Sequence, residues 1–347
     1  MHLPPERLNA ILARFSSSRI LVIGDLMLDE FLWGKVTRIS PEAPVPVVDV
    51  QKSKYYPGGA ANVARNLRSL GAGVGVAGVI GEDHEGRQLV DLLKKEGMET
   101  RGLLTSGDRR TTHKLRICAI TRQVHDHLEI EDQQQIVRVD NESRAPLPAA
   151  KKRELLDSIR AEIAQHDAVI IEDYAKGLID QELVTQVISE ARAAGKIIAI
   201  DPNPHNPIDW SGATVMKPNR REAFLAAQLP YSGDEEALLR AAAVLQKRHV
   251  TRQLLITLGE AGMLLLEEGA APYHTPTRAQ EVFDVSGAGD TAIAAYTLAL
   301  AAGATGIEAA EIANHAAGVV VGKLGTATLT ADELRAMFSK SAGAKKS

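Results

Sequence analysis

The chain has 347 residues, 45% of them apolar and 24% charged, with a formal net charge of -4. Those values suit a globular protein with a substantial core and argue against a general nucleic-acid binder. No apolar run reaches membrane-span length, the N-terminal MHLPPERLNAILARF lacks the apolar centre of a secretory signal, and the lone Cys118 excludes an intrachain disulfide framework, so a cytoplasmic location is expected.

In chain order, a short β-branched run, a turn and an amphipathic helix recur. RILVIGD (19–25) reads as a buried strand, and GGAANVARNLRSLG (58–71) as a helix stopped by a glycine. VGVAGVIG (74–81) is a strand and EGRQLVDLLKKEG (85–97) a helix. DAVIIED (167–173) and KIIAIDP (196–202) are strands on either side of the helix DQELVTQVISEARAAG, and ATVMKPN (213–219) is a further strand before the helix REAFLAAQ. QLLITLG and GMLLLEE pair as neighbouring strands, and helices over 290–302 and 307–323 close the chain before a frayed tail, SAGAKKS. Such alternation predicts an α/β fold, a mostly parallel sheet covered on both faces, with ligands at the carboxyl ends of its strands. VPVVDVQ (45–51), THKLRICAI (112–120) and QQIVRVD (134–140) instead alternate like half-exposed strands. They are expected to form a small separate sheet, a lid over the site, whose exposed edges favour pairing into a homodimer.

DVSGAGD (284–290), running straight into AIAAYTLALAAG, has two physical readings. In one, the glycines make a tight turn and Asp290 is the helix N-cap. In the other, the N–H groups of Gly287, Ala288 and Gly289 point at an anion, and Asp290 is a general base beside it. An acid next to an oxyanion hole suits phosphoryl transfer to a hydroxyl. Upstream, PGGAANVARNLRSLG puts Gly58, Gly59 and Asn62 at a helix start, where backbone can approach a ligand closely and an amide can bind hydroxyls.

Together the two stretches resemble the paired signatures of the PfkB, or ribokinase-like, sugar kinases, and the resemblance extends over nearly the whole chain. It implies one domain over 1–347, a three-layer α/β/α sandwich with a small β lid over roughly 35–55 and 107–141. It implies ATP and magnesium as cofactors and a small-molecule sugar or sugar phosphate as partner. Asp290 matches the catalytic base and Gly287, Ala288 and Gly289 its anion hole. Asn219 and Glu222, in KPNRRE, match an element near the ATP phosphates and magnesium; alone, Glu222 is also a first-turn acid favoured by the helix dipole. Thr257 and Gly259, in TLGEAG, match the nucleotide-contacting turn, and Asn314 a position beside the adenine or ribose. Asp29 matches an acid that holds sugar hydroxyls. Asp284, Ser286 and Gly325 fall where some relatives bind a monovalent cation such as potassium.

Finer features, TRISPEAPVPVV (37–48), DYAKG (173–177) and AAGVVVGKLGTAT (316–328), are similar to kinases of D-glycero-β-D-manno-heptose 7-phosphate, which phosphorylate the anomeric hydroxyl. For that substrate Asp173, Arg116 and Lys176 join the candidate sugar contacts; Lys176, Lys114 and Arg116 offer positive charge to a phosphate or are solvated loop cations. The segment 117–137 is longer than those kinases lead one to expect, and Asn203 stands where they suggest a lysine. Another sugar kinase, or a sugar sensor of weak turnover, are the alternative functions. The GxGxxG at 73–78 sits inside a predicted strand and does not open a helix, which argues against a dinucleotide site. HDHLEIED (125–132) has the residue types for a metal but reads more simply as a solvated loop.

Overall fold

The computed structural model describes residues 3–125, 128–279, 281–323 and 325–343. The main sheet comprises β1 (Arg19–Gly24), β4 (Gly73–Gly81), β5 (Glu99–Ser106), β8 (Ala168–Glu172), β9 (Ile197–Asp201), β10 (Val215–Met216), β11 (Gln253–Thr257), β12 (Met263–Glu267) and β13 (Tyr273–Thr275). Its strand order is β13-β12-β11-β10-β9-β8-β1-β4-β5. Every pairing from β5 through to β11 is parallel; β12 and β13 are added antiparallel. The helices are α1 (Pro5–Ala13), α2 (Ala60–Ser69), α3 (His84–Lys95), α4 (Ala149–Ile163), α5 (Gln181–Ala193), α6 (Arg220–Ala227), α7 (Glu235–His249), α8 (Ala288–Ala301), α9 (Gly306–Val320) and α10 (Ala331–Gly343).

β1 shows why two helical layers form. A strand sends successive side chains to opposite faces, and every residue of Ile20–Ile23 is apolar and buried. Ile20 and Val22 join the core under α1, α2, α3, α8, α9 and α10. Leu21 and Ile23 join the core under α4, α5, α6 and α7. The result is the expected three-layer sandwich. α8 is apolar all round, with Thr291 to Ala299 all buried, so it lies within its layer rather than at the surface.

The second sheet has four strands in the order β3-β2-β6-β7: β2 (Leu26–Ile39), β3 (Pro46–Gly59), β6 (Thr112–His125) and β7 (Leu128–Asn141). β2 pairs parallel with β6, and the other two pairings are antiparallel. β3, β6 and β7 contain the three alternating segments read from the sequence; β2 was not anticipated. Val36, Ile39, Val50, Val137 and Val139 on this sheet are exposed. The strand expected over 213–219 is short, Val215–Met216, because Pro218 ends the ladder and Asn219 already caps α6. α1, α4, α7 and α10 fill stretches that carried no reading. Among the described residues no helix is long and apolar enough to cross a membrane. The tract at 125–132, expected to be a solvated loop, instead contributes residue 125 to β6 and residues 128–132 to β7; its side chains and the last residues of the tail lie outside those described.

Candidate active site

The carboxyl ends of the parallel strands deliver a row of polar side chains to one edge of the sheet. Asp25 follows β1, Glu172 ends β8, Asp201 ends β9 and Lys217 follows β10. A cleft of about 720 Å³ opens there, lined by Asp173, Asn219, Glu222, Thr257, Gly259, Ala288, Gly289, Asp290 and Asn314 among others.

At its floor lies the start of α8. Gly287, not Asp290, is the N-cap; its φ of 79° is left-handed, a conformation glycine adopts without steric cost. A Cβ there would stand 2.9 Å from Asn62 Nδ2. Asp290 therefore falls in the first helical turn, and its carboxylate is not spent on capping. Asn62 Nδ2 donates to Oδ2 at 2.7 Å, and the Tyr174 hydroxyl donates to Oδ1 at 2.8 Å. Burial pushes the Asp290 carboxyl above the ordinary aspartate range, while these two donors and the Lys217 charge pull it back. Of the two readings of DVSGAGD, the capping one does not match this geometry.

Two acids and a lysine surround that carboxylate. One oxygen each of Glu172, Asp201 and Asp290 lies within 4.8 Å of the others. Glu172 is fully buried with neither oxygen hydrogen-bonded, and burial beside Asp201 and Asp290 raises its pKa well above the usual value. Asp201 pairs with Lys217 Nζ at 2.9 Å; burial still holds its carboxyl up at about 7, with Glu222 and Asp290 adding to the push. A Cβ on Gly289 would stand 3.5 Å from Lys217 Nζ, which sets that ammonium beside the backbone of Gly287 to Gly289. Ala288 N donates to Val285 O at 3.3 Å and so is not open to a ligand, but a helix start with a buried cation beside it still suits an anion.

The nucleotide-side candidates converge on the same cleft. Asn219 and Glu222 form a capping box on α6: Glu222 N donates to Asn219 Oδ1 at 2.9 Å, and Asn219 N to Glu222 Oε2 at 2.8 Å. Asn219 and Thr257 lie side by side across an isolated bridge, and Gly259 opens the turn that follows. Asn314 is buried, and its amide donates to Thr275 Oγ1 at 2.9 Å and to Pro276 O at 2.7 Å, tying α9 to the exit of β13. Asp284 bridges two loops, accepting from Ser286 N at 2.8 Å and from Gly325 N at 3.1 Å.

The sugar-side candidates other than Asp173 form a second group, outside the lining of that cleft. Asp29, buried on β2, pairs with Arg116 from β6. Its cross-strand neighbourhood requires Gly58, where a Cβ would stand 2.1 Å from Asp29 Oδ2. Gly59 ends β3 as the N-cap of α2 and so sets Asn62, which joins this group to Asp290. Lys176 is buried against Glu142, with Nζ to Oε2 at 2.6 Å, and Lys114 lies 3.8 Å from the same oxygen. The loop cations are thus ion-paired and largely buried rather than solvated. Asp173 also lines the cleft, but its Oδ1 accepts from Ala175 N at 2.8 Å and its Oδ2 from Asn206 at 2.9 Å; burial lifts its pKa to about 6. Sequence reasoning passed over Tyr174, Glu172, Asp201 and Lys217. Each sits inside a stretch that was singled out, at a strand end, which was the available signal.

A family model for pfkB family carbohydrate kinases matches residues 17–333. The chain belongs to the pfkB family of carbohydrate kinases. As a member it is a phosphotransferase that acts on a sugar hydroxyl. The bifunctional protein HldE of Pelobacter propionicus is 43% identical over 329 residues, which cover 95% of this chain and 65% of that protein. The bifunctional protein HldE of Helicobacter pylori strain J99 is 43% identical over 322 residues, covering 93% of this chain and 66% of that one. The chain thus spans just under two thirds of these curated relatives. In fold it is similar to Arabidopsis thaliana ribokinase complexed with ribose and ATP, at 18% identity and TM-score 0.68 over 92% of this chain and 98% of that one. It is likewise similar to Escherichia coli phosphofructokinase-2 in complex with potassium, at 20% identity and TM-score 0.72 over 93% and 98%. The fold of this pfkB kinase is ribokinase-like.

Proposed function

We propose that this pfkB kinase transfers the γ-phosphoryl group of ATP to the anomeric hydroxyl of D-glycero-β-D-manno-heptose 7-phosphate. The observation that carries the chemistry is Asp290: a carboxylate in the first turn of α8, free of capping duty, close to Gly287, Gly289 and the Lys217 ammonium. Asp290 takes the proton of the acceptor hydroxyl as its oxygen bonds to phosphorus and the bridging bond to ADP breaks. The N–H groups of Gly287 and Gly289, with Lys217, receive the charge on the moving group. Asn62, Asp29 and Arg116 orient the sugar from the Gly58–Gly59 side, with Asp173 beside them. Asn219, Thr257, Gly259 and Asn314 form the nucleotide wall.

Magnesium prefers oxygen donors and keeps several waters. Glu222 fits it, a half-exposed carboxylate on the cleft wall whose Oε2 alone serves the helix cap. A hydrated ion held there supplies positive charge to the phosphate oxygens. The loops tied together by Asp284, with Ser286 and Gly325, are our candidate for a potassium site.

The heptose assignment rests on the 41–44% identity to proteins called bifunctional HldE and on the DYAKG turn. Lys176, held beside Glu142 and Lys114, is our candidate for the substrate's own phosphate. We read the four-stranded sheet as the lid and its exposed valines and Ile39 as a homodimer contact, which light scattering of the purified chain checks. A cytoplasmic location, where ATP is available, belongs to the same reading. The deciding experiment measures ADP release across a panel of sugars and sugar phosphates. Heptose 7-phosphate should be turned over with the highest kcat/KM. Brisk use of a neutral sugar alone would remove the heptose assignment and leave the kinase in place.

A further inference from the structure

We propose that Tyr174 is a positioning residue for phosphoryl transfer, its hydroxyl clamping Asp290 in the orientation that accepts the proton. The inference rests on Asp290 acting as the base. The carboxylate has one donor on each oxygen, Asn62 on Oδ2 at 2.7 Å and Tyr174 on Oδ1 at 2.8 Å. A carboxylate accepts about two bonds per oxygen, so both oxygens keep a lone pair for the incoming hydroxyl. With a single donor the group would pivot about its own Cβ–Cγ bond; with two it is held in plane. Both donors are neutral. They fix the carboxylate without the full charge that would strip it of basicity, and the nearby Lys217 ammonium is already paired with Asp201.

The turn that carries Tyr174 is built to a degree that space-filling does not require. Three successive backbone N–H groups are taken by buried carboxylates. Tyr174 N and Lys176 N donate to Asp25 Oδ2 at 2.9 and 3.1 Å, and Ala175 N donates to Asp173 Oδ1 at 2.8 Å. Arg109 Nη2 donates to Lys176 O at 2.8 Å from the other side. Ala175 itself has a φ of 53°, a left-handed conformation that costs a non-glycine residue energy. Backbone of that kind persists only where its surroundings over-determine it, and it clusters at functional sites. Here the turn delivers one side-chain hydroxyl to one carboxylate oxygen, 116 residues further along the chain.

The test is Tyr174→Phe, which keeps the ring and removes only the donor. The groups facing Asp290 are Glu172 from β8, Asp201 from β9, Lys217 after β10, Asp29 from β2 and Asn62 from α2, and the substitution alters none of them. A donor to the charged form holds a carboxyl pKa down, so its loss raises that of Asp290. The acid limb of kcat/KM should move up by about one pH unit. Where chemistry limits the rate, kcat should fall roughly tenfold with the KM for ATP unchanged. Site-specific 3-fluorotyrosine at 174, a stronger donor of nearly the same shape, should move the limb the other way. In an Asp290→Asn background Tyr174→Phe should cost less than about twofold, because no base is left to position. An acid limb that stays in place in the Phe and fluorotyrosine proteins, or losses that multiply in the double variant, would overturn the proposal. Should Asp290→Asn alone keep parental turnover, the base assignment itself fails, a result distinct from an unmoved limb in an enzyme that does need Asp290.

Discussion

A base in phosphoryl transfer has to be ionised before the reaction and protonated after it, which favours a pKa nearer neutrality than a free aspartate has. Asp290 is moved that way by burial. Activity should therefore be lost on acidification while ordinary surface aspartates are still ionised. Asp290→Asn keeps the size and one acceptor oxygen but cannot take a proton. Turnover should fall on the order of 10²–10⁴-fold with ATP affinity nearly unchanged; rates within a few-fold of the parent, with chemistry limiting, would show that another group is the base. Glu222, our candidate for magnesium, also completes the cap of α6 through its Oε2. Glutamine can still accept the Asn219 N–H, so Glu222→Gln separates charge from cap. A higher magnesium requirement with an unchanged melting temperature is expected. A superimposable magnesium titration would leave Glu222 as a cap alone.

Glycines show what the elements impose on one another. β3 runs past Asp29 so closely that Gly58 has no room for a Cβ. Gly58→Ala should displace the Asp29 carboxylate, weaken its pairing with Arg116 and raise the sugar KM severalfold while leaving the KM for ATP near its parental value. A matched rise in both would mean that α2, and not the sugar contact, had moved. Much of this layout was legible in the residues, for local reasons. β1, β4, β8 and β9 are short apolar runs bounded by turns, and α2, α3 and α5 are amphipathic with recognisable ends. β2 escaped because it belongs to two environments: its first four residues are buried, its last five exposed, and no single alternation runs through it. The pfkB signatures disclosed Asp290, its glycines and Asn62. Tyr174 stayed hidden because DYAKG shows a tyrosine but not the carboxylate it meets. Asp201 and Lys217 were hidden likewise, since a pair across neighbouring strands leaves no spacing to read.

Taken as a whole, the molecule concentrates reluctant acids at one edge of its sheet. Asp173 and Asp201 are held up at about 6 and about 7, and Glu172 and Asp290 are also raised. A carboxyl with a higher pKa folded than unfolded binds the extra proton in the folded state, so stability declines as pH rises between the two values. Elsewhere Glu308 is held down at about 2 by Arg7, and Glu142, Glu311 and Asp83 are lowered by their partners; their contribution is lost as pH falls below the ordinary carboxyl range. The melting temperature should therefore rise from pH 8 to about pH 5.5 and drop again below about pH 4. A monotonic rise up to pH 8 would contradict the raised cluster. Another property of the whole chain lies in the parallel pairing of β2 with β6, whose first partners are Met27 and Thr112. During synthesis β2 and β3 emerge first and can close as a hairpin. β4, α3 and β5 must then be made before the strand that completes the second sheet leaves the ribosome. Until residue 116 arrives Asp29 lacks its arginine and one edge of β2 stands open to other chains. A nascent chain whose emerged part ends near residue 110 should thus bind chaperones through β2 more strongly than one whose emerged part ends past residue 145.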